Sequence, residues 1–152
     1  MFHLTGWEKI LNLPYYVPGR TTMSVKITQI EGTQFKAEAD GFEIMSGRID
    51  AQTLPAGMSP GKLLTASLGL CSAFHAALYL KRNNIQVSEL VLSVEAVNEK
   101  VPSRASQFNI EIKVGASLTE SQVQDLSMEI QRCYVGNTLK SNPKISYRVK
   151  TL

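Results

Sequence analysis

The chain has 152 residues, of which 43% are apolar and 19% charged, the composition of one ordinary globular domain able to bury a core without disulfides or a metal. Its net charge of +3 comes from basic residues scattered along the sequence, so neither a nucleic-acid nor an anionic-membrane footprint follows. The first residues lack a charged start ahead of a continuous apolar stretch, so no secretory signal is read, and the expectation is a cytoplasmic protein whose two cysteines stay reduced.

Residues 1–22 read as an N-terminal arm. Leu4 to Leu13 suits a short helix with Trp7, Ile10 and Leu11 on one side, broken by Pro14 and Pro18. A single domain is expected over 23–152. From Ser24 the period is two: Val25 and Ile27 alternate with Lys26 and Thr28, a Glu31-Gly32 turn follows, and Phe35, Ala37 and Ala39 alternate with Lys36 and Glu38. Asp40-Gly41 is a hairpin turn, after which Phe42, Ile44, Ser46 and Arg48 share one strand face. If Phe42 and Ile44 mark the core side, Arg48 points inward; if the strand ends by Gly47, it is solvated.

The central element is a helix. Ser59 is its N-cap and Pro60 its first residue, because proline lacks an N–H that the first turn could not pair. No charge falls between Leu63 and Leu80, so the helix is expected to be buried nearly all round, and its Ser, Thr, Gly and His argue against a membrane span. Ala66, Gly69, Ala73 and Ala77 form a stripe of small residues that predicts a tight helix–helix contact, with a second copy of the chain as one candidate.

Val87 to Val97 reads as a strand with Leu90, Leu92, Val94 and Ala96 on one face, and Phe108 to Val114 as its antiparallel partner. Thr119 and Gln122 form a capping box opening a second helix, whose apolar face takes Val123, Leu126, Ile130 and Cys133. Gly136 and Asn137 are read as its stop, and Ile145, Tyr147 and Val149 as a last strand. The order β-β-β-α-β-β-α-β, dominated by hairpins, predicts an α+β fold with antiparallel sheets around a buried central helix. The run from Phe42 onward also has the order of RNA-recognition sheets, but its strands carry no basic-aromatic motif, so no nucleic-acid partner is expected.

Chemistry can sit at the cysteines. Cys71 and Cys133 both fall on helix faces directed at the core, and if they meet they can cycle between dithiol and disulfide. His75, one turn after Cys71, is either a core histidine bonded to backbone, a base toward the thiol, or a third ligand with both cysteines. Only a thiolate is a strong nucleophile, so a buried thiol needs a nearby cation to be reactive.

The stretch from Pro55 to Leu80, with Ser59-Pro60, Leu63-Leu64, the small-residue run and Cys71, resembles the first cysteine motif of the osmotically inducible protein C and organic hydroperoxide resistance family. The stretch from Cys133 through Val135 to Leu139 is similar to the second motif, and the likeness covers roughly residues 24–150. The resemblance implies an intertwined homodimer that reduces organic hydroperoxides in oxidative-stress defence, without cofactor, metal or membrane partner. It implies Cys71 as nucleophile, Cys133 as the resolving thiol, Arg48 as the activating cation, and a small or lipoyl-type dithiol as reductant. Leu70, Phe74 and Met58 are expected to line the pocket and favour an alkyl peroxide. Where peroxidases of this family carry a glutamate that orients the arginine, this chain has Gly61, which leaves Asp50 or Glu43 as the substitute.

Overall fold

The computed structural model describes residues 22–151 and divides them into two compact units, one ending at Gly57 and the other beginning at Met58. The helix read over Leu4 to Leu13, and His3 with it, lies outside the described residues.

The N-terminal unit is an antiparallel sheet of β1 (Lys26–Glu31), β2 (Gln34–Ala39) and β3 (Phe42–Ser46), in that order. Asp40 and Gly41 both take positive φ, 52° and 82°, the conformation a two-residue hairpin demands and Asp-Gly supplies. Rows such as Ile27, Ala37 and Ile44 align across the sheet. That face was expected to be core, yet Phe42 is 78% exposed and Ile44 is also exposed, so the described residues leave it open.

β3 ends at Ser46, and Gly47 at φ 82° turns the chain where a Cβ would run into the Thr33 carbonyl. The strand parity that pointed Arg48 inward is therefore broken, and Arg48 is exposed. Its carbonyl accepts hydrogen bonds from both the Thr33 N–H (3.0 Å) and the Thr33 hydroxyl (2.9 Å), which fix the bend that presents it.

The C-terminal unit is built on α1 (Pro60–Arg82). Ser59 Oγ accepts the Lys62 N–H, Pro60 stands in the first turn, and Lys81 and Arg82 sit at the negative end of the helix. β4 (Leu90–Lys100) and β5 (Ser103–Val114) form a long hairpin in which Leu92 pairs with Ile112, Val94 with Ile110 and Ala96 with Phe108. The alternation of half-buried and exposed residues along β4 is the one the sequence predicts, and its inward side packs on α1.

Two expectations about α1 change. Its stripe of small residues faces a strand and not a helix: a Cβ on Gly69 would stand 2.9 Å from Val94 Cγ2. The helix is also not buried all round, since Leu70 is 72% exposed and Phe74 is exposed as well. It is the one described helix long and apolar enough to cross a membrane, but its inner side, Leu68, Ser72, Ala76, Tyr79 and Leu80, is packed within the protein.

α2 (Glu120–Ile130) opens with the predicted capping box: Thr119 Oγ1 accepts the Gln122 N–H and Gln122 Oε1 accepts the Thr119 N–H. Leu126 joins Ala76, Tyr79 and Leu80 in the core, while Val123, predicted on the same face, is half exposed. The chain then departs from expectation. α2 stops at Ile130, and a third helix, α3 (Tyr134–Ser141), follows where Gly136 and Asn137 were read as a stop. Residues 143–151 keep their alternation but pair with no strand among the described residues, leaving Ile145, Tyr147 and Val149 exposed. The α+β class and antiparallel sheets hold; the predicted last strand does not form among the described residues.

Candidate active site

Cys133 is not on the face of α2, as its spacing from Ile130 suggested, but the N-cap of α3. Its ψ of 122° leaves the helical range, and its Sγ accepts the Gly136 N–H at 3.3 Å, the role usually filled by Ser, Thr, Asp or Asn. Thiol caps are absent from those preferences, which is why the sequence pattern gave no sign of α3. Gly136 serves as a spacer inside the helix: a Cβ there would meet Leu68 Cδ1 at 3.6 Å and Cys133 Sγ at 3.7 Å.

This cap brings the second cysteine to the first. Cys133, 2% exposed, and the half-buried Cys71 on α1 lie close enough that the second thiol and the backbone N–H groups of Val135 and Tyr134 act on the charge state of the first. Both sulfurs thus lie over the amino end of α3, where unpaired amides and the helix dipole favour negative charge. Burial nevertheless outweighs these donors and, with Cys133 as neighbour, pushes the Cys71 thiol up from its ordinary value. The groups acting on it most strongly include no cation. Both cysteines are free, so the site is a dithiol.

The remaining predicted site residues are placed as follows. Arg48 belongs to the N-terminal unit and is exposed on its bend. Neither proposed acid holds it: Glu43 is paired with Lys36 at 3.0 Å, and Asp50 Oδ1 accepts the Gln52 and Thr53 N–H groups of its own turn. His75 is turned to Glu129, 3.6 Å away, and among the described residues no group of three or more His, Cys, Asp or Glu side chains could hold a metal ion.

The expected apolar lining falls elsewhere. Met58 and Leu70 line a groove of about 1110 Å³ between α1 and the β4–β5 hairpin, with Ala66, Gly69, Val94 and Phe108. Cys71 is not among its walls, because at about 100° per residue it is turned well away from Ala66, Gly69 and Ala73. Phe74 is exposed and does not line the groove.

A family model described as OsmC-like protein matches residues 50–148. No curated protein matches the sequence. Among solved structures, an OsmC-like protein from Mycoplasma pneumoniae is 19% identical, with a TM-score of 0.68 over 79% of this chain and 88% of that one. An organic hydroperoxide resistance protein from Elizabethkingia anophelis is 19% identical, with a TM-score of 0.53 over 83% of this chain and 93% of its own. Another, from Legionella pneumophila, is 13% identical, with a TM-score of 0.53 over 82% and 93%.

Proposed function

The chain belongs to the OsmC-like protein family, and from that membership we propose that it is a thiol-dependent peroxidase that reduces organic hydroperoxides in oxidative-stress defence. The observation that carries this reading is the dithiol over the amino end of α3, with Cys133 beside Cys71. The Cys71 thiolate attacks the peroxide oxygen remote from the alkyl group, the O–O bond breaks, and the alkoxide leaves as an alcohol on taking a proton. Cys71 is left as a sulfenic acid. The Cys133 sulfur then bonds to the Cys71 sulfur as the S–O bond breaks, and the hydroxyl departs as water with the Cys133 proton. A small dithiol, of lipoyl type, returns two electrons and two protons to restore the pair.

Arg48 is the cation this chemistry needs, since it keeps its charge at any working pH and can counter the burial that raises the Cys71 thiol. The protein works as a homodimer. Supporting that assembly are the exposed apolar face of β1–β3, Leu70 and Phe74 on α1, and the unpaired alternating segment around Ile145, Tyr147 and Val149. A reducing compartment, the cytoplasm, suits a resting dithiol.

The test is a thiol titration. Reduced protein should consume about one equivalent of cumene hydroperoxide and lose both free thiols, whereas Cys71→Ser should not react. Unchanged thiol titres after peroxide would remove the reading. A second reading, a dimeric redox-sensing or binding module without peroxidase activity, is favoured by the raised Cys71 thiol and by Gly61. It calls for slow oxidation with no preference between alkyl and hydrogen peroxide.

A further inference from the structure

One helical turn from each cysteine, a second pair of side chains bridges the same two parts of the fold. His75 follows Cys71 by four residues on α1, and Glu129 precedes Cys133 by four residues at the end of α2. His75 Nδ1 is buried without a hydrogen bond, and Glu129 Oε1 stands 3.6 Å from it. The Glu129 carboxylate is 14% exposed and also lies 3.5 Å from Arg82 Nη1 and 3.1 Å from Arg132 Nη1. Arg132 is the neighbour of Cys133, so one carboxylate ties α1 to the turn that carries the second thiol. The thiol chemistry described above uses none of these groups.

A buried imidazole nitrogen without a partner is costly when neutral, whereas a protonated one beside a carboxylate forms a charge-assisted hydrogen bond. The His75–Glu129 contact holds α1 against α2 beside the two thiols. A disulfide tolerates Cα separations only up to about 7 Å, so small movements of these elements change how readily the bridge forms.

We propose that His75 and Glu129 are positioning residues for the dithiol, and that their contact clamps α1 to the turn after α2 and favours the Cys71–Cys133 disulfide. The inference rests on the reading of the two thiols as a redox couple. Glu129 faces His75 from α2, and Arg82 on α1 and Arg132 on the turn share that carboxylate. Phe74 meets the imidazole edge-on with ring centroids 6.0 Å apart, and Lys140, the one charged residue of α3, lies in that helix's last turn. β4 meets α1 through Leu90, Leu92, Val94 and Ala96, which bring no charge.

The test equilibrates the full-length reduced protein with a glutathione/glutathione disulfide buffer, which exchanges two electrons and two protons with the dithiol and needs no peroxidase activity. Wild type should hold an advantage of about tenfold in the disulfide equilibrium constant over both His75→Gln and Glu129→Gln, and the double variant should lose no more than either single one. Equal constants in wild type and both variants, or losses that simply add in the double variant, overturn the proposal. His75→Gln carries the test if Glu129→Gln fails to fold, as circular dichroism will reveal. Peroxide is absent from the assay, so a lowered constant in the variants of a protein whose thiols resist hydroperoxide would sink the peroxidase reading and leave the clamp standing.

Discussion

Gly61→Glu tests the start of α1 and the proposed chemistry at once. Gly61 is the second residue of the helix, and a Cβ built there meets nothing within 4 Å, so the new side chain costs no steric strain. Replacing glycine in a first turn removes backbone freedom from the unfolded chain, worth about 0.5 kcal/mol where the native conformation suits any residue. The first turn of α1 holds no acidic residue, and a carboxylate there interacts with the positive end of the helix for roughly another 0.5 kcal/mol. The variant should thus be stabilised by about 1 kcal/mol, a rise in Tm of about 2–4 °C for a protein of this size, compared at one protein concentration. In urea the midpoint should move up with an unchanged slope, and the dipole part of the gain should shrink in high salt. If the glutamate also orients Arg48, single-turnover oxidation of Cys71 by cumene hydroperoxide should accelerate about tenfold. A neutral or destabilised variant would refute the account of the helix start. A stabilised variant with unchanged oxidation would instead remove the orienting role from this position.

Two further outcomes follow from the geometry. Leu126, 5% exposed among Ala76, Tyr79 and Leu80, should cost about 2–5 kcal/mol on truncation to alanine in urea unfolding, and a loss under about 1 kcal/mol would mean that α2 is not packed on α1 as described. Burial raises the Cys71 thiol above its ordinary 9.0, so iodoacetamide should label it only as pH climbs past that value, with the midpoint higher still in Arg48→Ala. The sign extends to folding. The native Cys71 thiol holds its proton more tightly than the unfolded one, so its stabilising contribution is present below the unfolded pKa and lost as pH rises through the folded one. Equal labelling midpoints in the two proteins would exclude Arg48 as the activating cation.

Much of this fold is written in periodicities that need only local chemistry. Asp40-Gly41, Ser59-Pro60 and the Thr119 and Gln122 box each satisfy backbone groups within a few residues, and all appear where the sequence puts them. The misreadings share a different cause. The stripe at Ala66, Gly69 and Ala73 reports that some backbone approaches closely, but a strand carrying Val94 satisfies that requirement as well as a helix does. Ile145, Tyr147 and Val149 alternate as a strand, but a strand exists only when paired, and no described segment of one chain pairs with them. Cys133 fell on a helical spacing from Ile130, and nothing in the capping preferences of Ser, Thr, Asp and Asn signals that a thiol will take the cap of a new helix.

The thiol cap explains how the convergence of the two cysteines was legible while its mechanism was not. An amphipathic pattern puts both Cys71 and Cys133 on inward sides, and that alone brings them near each other in a small core. Their chemistry depends on the chain leaving α2 at Ile130 and restarting at Cys133, because only a second helix start turns free amides toward the sulfurs. Had α2 continued through Cys133, its amides would have been spent on the preceding turn, and burial would act on Cys71 with nothing to offset it. With the break, the donors of Tyr134 and Val135 reduce the cost of charge on Cys71 without removing it. What they leave uncompensated is the part that the proposed chemistry assigns to Arg48. Within its own unit the Arg48 bend is held by Thr33 through both its N–H and its hydroxyl.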